Sequence, residues 1–223
     1  NNNQTLAAGM LISNAPQQDY WSTVPSGSLE TKTSMVTAAQ REKRLGQKPA
    51  TLLLTGLSSS GKSSIAYALE RRLFDVGYFA IVLDGEKLRR GLSKDLDFRA
   101  SHRSENIRRF AEMARLFNEQ GMIVIGAFMS PEQKVRDMAR DLVGQEQFIT
   151  INTQCPIALC EKRDKRGLYA RAKKGELGDF PGISAPYEVP KDPDCVLDTQ
   201  ILSVEQSVDK LIEILQRRKV IPT

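Results

Sequence analysis

Residues 51–63 read Thr51-Leu52-Leu53-Leu54-Thr55-Gly56-Leu57-Ser58-Ser59-Ser60-Gly61-Lys62-Ser63, an apolar run that breaks into glycine, serine and lysine. The run has the length and composition of a strand buried on both faces. Its continuation fits G-x-x-x-x-G-K-[ST], and Ser64 to Arg72 carries on as a helix. That strand–loop–helix setting is the one in which this spacing binds phosphate. Gly56 and Gly61 let the main chain approach an anion with no Cβ in the way. The amides of Ser58, Ser59 and Ser60 in the loop, and of Lys62, Ser63 and Ser64 at the helix start, aim partial positive charge at phosphate oxygens. Lys62 reaches the outer phosphates and the Ser63 hydroxyl offers an oxygen to Mg²⁺, so ATP with Mg²⁺ is the expected ligand pair.

Outward from this point the chain alternates strand and helix. Strands are expected at 51–55, 80–84, 122–128, 147–152 and 195–198. Helices are expected at 62–76, 103–120, 131–143, 155–162 and 203–218, with Gly77, Gly121 and Gly144 in helix-stop positions. The spacing predicts an α/β fold, a parallel sheet with helices on both faces. Residues 163–194, rich in Lys, Arg, Gly and Pro, are too long for an ordinary connection and read as a mobile basic lid with a short helix. Upstream, Thr37 to Leu45 reads as a helix stopped by Gly46. Residues 1–33, rich in Asn, Gln, Ser and Pro, read as a separate tail and linker before a domain of residues 34–223.

The formal charge of +5 suits polyanionic ligands. The basic pairs Arg71-Arg72, Arg89-Arg90, Arg108-Arg109 and Arg217-Arg218 are scattered and not interleaved with aromatics, which argues against a nucleic-acid platform. Cys155, Cys160 and Cys195 have no metal-ligand spacing and suit a reducing, cytoplasmic location; a lone histidine, His102, argues against a zinc site or a histidine triad. No apolar run is long enough for a membrane helix.

Ile81-Val82-Leu83-Asp84-Gly85-Glu86 is a strand ending in two carboxylates. Ligands of an open parallel sheet bind beyond its C-terminal strand ends, so Asp84 and Glu86 are expected to face the phosphate loop. One can hold Mg²⁺ and one can take the proton of an attacking hydroxyl.

The segment from Leu83 through Asp84, Glu86, Arg89, Gly91, Leu92, Asp95 and Leu96 to Phe98 resembles the D-G-D-N-x-R-x-G-L-N-x-D-L-G-F pattern of adenylylsulfate kinases. Arg103-Ser104-Glu105-Asn106-Ile107-Arg108-Arg109 is similar to that family's R-x-E-N-I-R-R, and Phe128-Met129-Ser130-Pro131 to its F-I-S-P. Arg163-Asp164 with Gly167-Leu168-Tyr169, then Phe180-Pro181-Gly182-Ile183 and Ala185-Pro186-Tyr187-Glu188, follow in the same order, so the likeness runs from about 48 to 218. It implies a P-loop kinase-type fold and transfer of the ATP γ-phosphoryl group to the 3′-hydroxyl of adenosine 5′-phosphosulfate. It implies acceptor contacts at Arg89, Phe98, Arg103, Asn106, Met129, Ser130 and Phe180, and a nucleotide contact at Arg163. Lys62, Asp84, Glu86 and Ser130 are its catalytic set, Ser63 and Asp84 its metal ligands, and a homodimer its usual assembly. Arginine forks onto phosphate or sulfate oxygens and Phe98 can stack on adenine. Read without the family, Arg108 and Arg109 are a polar helix face, Phe98 is core, and Ser130 is a helix cap before Pro131.

Several residues depart from the pattern: Glu86 for aspartate, Lys87 for asparagine, His102 for aspartate, Gln133 for arginine, Gly178 for a basic residue and Pro181 for threonine. Glu86 sets its charge about 1.5 Å further out, and about 1 Å at a reacting centre is worth on the order of a hundredfold in rate. Two other readings stay open: another P-loop small-molecule kinase, or a weakly active nucleotide-binding module that regulates an attached ATP sulfurylase. Leu6-Ala7-Ala8-Gly9-Met10-Leu11-Ile12 resembles the last strand of the barrel that ends the sulfurylase GTPase subunit, which implies a fusion of kinase and sulfurylase.

Overall fold

The computed structural model describes residues 34–223; the tail of residues 1–33 and its Leu6–Ile12 island lie outside them. Five strands form one parallel sheet: β1 (Ala50–Thr55), β2 (Ala80–Asp84), β3 (Ile123–Ala127), β4 (Phe148–Gln154) and β5 (Cys195–Asp198), in the order β2-β3-β1-β4-β5. β1 lies centrally and all six of its residues are buried, which is why it reads as an unbroken apolar run. In register, Leu53 pairs with Gly126 of β3 and Thr150 of β4.

Helices cover both faces. On one, α2 (Lys62–Asp75) and α8 (Val204–Arg217) bring Ile65, Leu69, Leu73, Leu211 and Leu215 onto Leu52, Leu54 and Ile125. On the other, α4 (Ala100–Glu119) and α5 (Gln133–Val143) bring Phe110, Ala114, Val135 and Ala139 onto Leu53 and Val124. Gly126 is the contact point for α4: a Cβ there would lie 2.4 Å from the Phe110 ring. Before the sheet, α1 (Ala38–Leu45) starts on a reciprocal Thr37–Gln40 capping box.

The expected alternation is present, with boundaries shifted by local chemistry. α4 begins at Ala100, before Arg103. α5 begins at Gln133 with Glu132 as its cap, so Ser130 is not the cap. α6 (Ile157–Arg163) starts after Pro156. The one-turn helix α3 (Gly85–Leu88) was not expected; the Asp84 carboxylate caps it by accepting from the amides of Glu86 and Lys87. The 163–194 segment carries the short helix α7 (Leu168–Lys173), whose Tyr169 and Ala172 join Phe180 on Cys155 and Cys160 in a satellite apolar cluster. Among the described residues no helix is long and apolar enough to cross a membrane.

Candidate active site

The loop from Gly56 to Ser63 folds against the end of β4. A Cβ on Gly56 would meet Thr153 Oγ1 at 2.2 Å and the Thr153 carbonyl at 2.6 Å, so only glycine lets the chain turn here. Thr153 Oγ1 donates to the Thr55 carbonyl and lies 2.8 Å from Ser60 Oγ, which fastens loop to sheet. Ser59 and Gly61 have φ of 60° and 100°, and the bend turns the chain directly into the N-terminus of α2. Lys62 arches back, its Nζ donating to the carbonyls of Gly56 (2.9 Å) and Leu57 (2.6 Å). Burial pulls its pKa down to about 8, against the opposing pull of Cys160, Asp84 and Glu86. A phosphate oxygen offers this ammonium a stronger partner than two peptide carbonyls do.

Facing the loop, the β2 tip brings Asp84 to Ser63, whose Oγ donates to Asp84 Oδ2 at 2.5 Å. Asp84 Oδ1 is occupied by the amides that cap α3. These adjacent hard oxygens fit Mg²⁺, which binds through one or two protein oxygens and completes its shell with phosphate and water. Among the described residues no group of three or more His, Cys, Asp or Glu could hold a metal unaided. Glu86 also lines the cavity, but both its oxygens accept from Arg166, at 2.6 Å each. This fork spans the cleft from the β2 tip to the lid. The extra carbon that separates Glu86 from an aspartate is used for reach, and Arg166 escaped notice because a single arginine in a basic segment carries no signal.

The opposite wall carries polar groups without partners. Arg103 Nε, Asn106 Oδ1 and Ser130 Oγ are buried and unpaired, and all three residues line one cavity of about 660 Å³ with Lys62, Ser63 and Asp84. Buried polar atoms without partners are exceptions in folded proteins, and these three give the cavity wall a capacity to take a polar ligand. Beside them Phe98, 64% exposed, lies against the Arg89 guanidinium, 4.7 Å from ring centroid to carbon, and offers a flat apolar face. Arg89 is braced on the carbonyls of Leu96 and Asp97, and Arg103 on those of Phe98 and Asp179. Burial lowers both arginine pKa values, as befits cations held ready for an anion. Ser130 has φ 38°, a left-handed conformation that non-glycine residues hold only when their surroundings enforce it.

Of the residues expected at the site, Ser58, Ser59, Gly61, Ser64, Glu86, Arg89, Phe98, Met129 and Arg163 join this cavity as well. Gly56 and Ser60 are buried within the loop and do not line the cavity. Phe180, expected on the acceptor, packs instead edge-on to Tyr169 (5.1 Å between centroids) inside the satellite cluster.

A model of the adenylylsulphate kinase family matches residues 48–198. The chain belongs to this family. It is 47% identical over 181 residues to the adenylyl-sulfate kinase of Bacteroides thetaiotaomicron, covering 81% of this chain and 90% of that protein. It is 42% identical over 218 residues to the bifunctional enzyme CysN/CysC of Rhodopirellula baltica; that match takes in 96% of this chain and spans 34% of the relative's length. Its fold is similar to the Mycobacterium tuberculosis APS kinase CysC in complex with AMPPNP and APS (TM-score 0.73, 39% identity, 76% of this chain, 99% of that one). It is also similar to a hexameric APS kinase from Thiobacillus denitrificans (TM-score 0.60, 26% identity, 82% of this chain, 32% of that one).

Arg108 and Arg109 do not line the cavity. Both pair at 2.7 Å with Glu105, whose carboxylate is buried, and Arg109 also forks onto Asp95. Arg109 thereby ties the loop at Asp95 to α4, whereas Arg108 stays within the helix. Thr199, Leu202, Ser203, Val204 and Ser207 form a further stretch of cavity wall that sequence reasoning missed, since no motif marks it. Arg163 joins that wall by donating to the Thr199 carbonyl at 2.8 Å. The lid touches the cradle itself: the Tyr169 hydroxyl donates to the Ser58 carbonyl at 2.9 Å. Gln133, which stands where the family pattern has arginine, faces Asp137 and Arg136 and does not line the cavity.

Proposed function

We infer that this chain transfers the γ-phosphoryl group of ATP to the 3′-hydroxyl of adenosine 5′-phosphosulfate, giving ADP and 3′-phosphoadenosine 5′-phosphosulfate. The observation that carries the reading is the single cavity that joins a phosphate cradle to a wall of unpartnered polar atoms, Arg103 Nε, Asn106 Oδ1 and Ser130 Oγ. One wall recognises the donor and the other the acceptor.

Lys62 and the loop amides bind the β- and γ-phosphates and stabilise the charge that spreads over the transferring group. Ser63 and Asp84 would hold Mg²⁺, which when bound neutralises phosphate charge. Phe98 stacks on the acceptor's adenine while Arg89 and Arg103 take its phosphate and sulfate oxygens. The acceptor 3′-oxygen forms a bond to the γ-phosphorus as the bond from phosphorus to the β–γ bridging oxygen breaks. The hydroxyl proton passes to a carboxylate of the Asp84–Glu86 pair. The lid segment bearing Arg163 and Arg166 excludes water, so the phosphoryl group passes to the acceptor and not to solvent.

The match to the bifunctional relative takes in residues N-terminal to 34, whereas the Bacteroides kinase matches 81% of the chain. This supports reading residues 1–33 as the end of a preceding domain and its linker, and the chain as the kinase part of a sulfurylase fusion. A homodimer, which light scattering would test, and a cytoplasmic location, where ATP is supplied, complete the proposal. The decisive assay mixes protein, Mg-ATP and adenylylsulfate: ADP and the 3′-phosphorylated product appear with the wild type and not with Lys62→Ala. No product over hours from the wild type overturns the reading.

A further inference from the structure

Arg136 is the bulkiest of the fully buried side chains among the described residues, 2% exposed, on the inner face of α5. Its three hydrogen bonds go to neutral oxygens: Nη1 to the Ser130 carbonyl (2.6 Å), Nη2 to Gln133 Oε1 (2.7 Å) and to the Glu188 carbonyl (2.8 Å). Its Nε has no partner. Burial pulls its pKa below the usual arginine range, and the carboxylates that oppose this, Glu188 and Asp137, act at a distance. A buried guanidinium without a bonded carboxylate is expensive, and a long apolar side chain fills such a site at lower cost. Packing therefore does not explain why arginine stands here.

The groups it grips supply the reason. The loop 129–131 forms part of the acceptor wall, and each of its carbonyls is drawn to a protein donor. Thr55 Oγ1 takes Met129 O (2.6 Å), Arg136 takes Ser130 O, and the Glu188 amide takes Pro131 O (2.8 Å). With the main chain so held, Ser130 stays at φ 38° and its Oγ is left unpaired in the cavity wall. The Glu188 carboxylate accepts from the Gln133 amide (2.6 Å), closing a ring of contacts between α5 and the chain that returns from the lid.

We propose that Arg136 is a positioning residue for the acceptor: it holds Ser130 in its left-handed conformation and ties that loop to the arm returning from the lid at Glu188. The donor cradle lies outside this ring. The inference rests on the phosphoryl-transfer reading and adds a residue that touches neither nucleotide.

The test compares Arg136→Met and Arg136→Lys with the wild type. Expected for Arg136→Met is a KM for adenylylsulfate raised at least tenfold, with the Kd for a non-hydrolysable ATP analogue within twofold of wild type and the melting temperature held. Arg136→Lys, which keeps the charge but not the fork, restores part of the affinity. A general loss of structure instead lowers the active fraction, moving kcat and the ATP-analogue stoichiometry while leaving KM in place. Should neither variant fold, Thr55→Val removes the neighbouring grip on Met129 and raises the same KM by a smaller factor. An adenylylsulfate KM unchanged within twofold, or an ATP-analogue Kd that weakens in step with it, overturns the inference. Absence of turnover by the wild type counts against the proposed reaction instead, and calorimetric binding of adenylylsulfate to wild type and Arg136→Met then decides the role of Arg136.

Discussion

The phosphate cradle takes eight consecutive residues, Gly56 to Ser63, around one strand-to-helix turn, whereas the acceptor wall takes Arg89, Phe98, Asn106 and Ser130 from separate segments. The cradle is braced by near neighbours in sequence, with Lys62 on the carbonyls of Gly56 and Leu57, and needs from afar chiefly Thr153. The acceptor wall is braced from a distance: Arg103 on Asp179, Thr55 on Met129, Arg136 on Ser130 and Glu188. Phosphate is common to many reactions and its recognition can be written locally. An acceptor is particular, and its recognition is assembled from wherever the fold can supply a group.

The contrast can be broken at the cradle. Lys62→Ala removes the cation at the transferring phosphoryl group, and kcat/KM should fall on the order of a thousandfold; steady-state assays check it, and calorimetry should show the protein still folded. Asp84→Asn takes away the carboxylate shared by Ser63 and the α3 cap. It should lower kcat by on the order of a hundredfold or more, with higher Mg²⁺ giving no rescue. Gly56→Ala forces a Cβ onto the Thr153 carbonyl and should destabilise the fold by about 1–3 kcal/mol in urea unfolding. Gly178→Ala, where a Cβ meets nothing within 4 Å, serves as its control.

A fourth prediction concerns pH. Lys62 in the folded protein titrates at about 8, below its ordinary 10.5. Between those values the unfolded chain binds more protons, so stability without ligand rises with pH across the window. Affinity for an anionic nucleotide runs the other way, weakening above pH 8 by at most about tenfold per pH unit. Binding of a non-hydrolysable analogue at pH 7 and 9 measures it, and Lys62→Arg should flatten the slope. The smallest effect is on stability at Arg166. Its fork to Glu86 is more than half exposed at both ends, so Arg166→Met should change unfolding free energy by less than about 1 kcal/mol. A larger loss would show that the lid is bound to the β2 tip more firmly than an exposed ion pair allows.

Legibility in the sequence follows the same division. The run Thr51–Thr55 followed by glycine and lysine announces strand, loop and helix because every contact that enforces them lies within a few residues. Asp84 and Glu86 were locatable because a parallel sheet fixes where its strand ends point. The left-handed Ser130 was not, since its conformation is imposed by Arg136 six residues on and by Thr55 across the sheet; read locally, Ser130 before Pro131 looks like a cap. The packing of Phe180 on Tyr169 and the pairing of Arg166 with Glu86 were not legible for a related reason. An aromatic or a cation in a long irregular segment takes its role from partners such as Tyr169 or Glu86, and no periodicity names those partners. The Thr199–Ser207 wall closes the cavity from a helix start more than a hundred residues after the loop it faces.

The hydrogen bond from the Tyr169 hydroxyl to the Ser58 carbonyl joins a residue of α7 to the Ser58–Ser59 peptide unit of the cradle. A peptide group is rigid, so a pull on its N–H side tilts its C=O side. An anion that drew the Ser59 amide inward would therefore turn the oxygen that Tyr169 holds, linking α7 to the cradle through one planar bond.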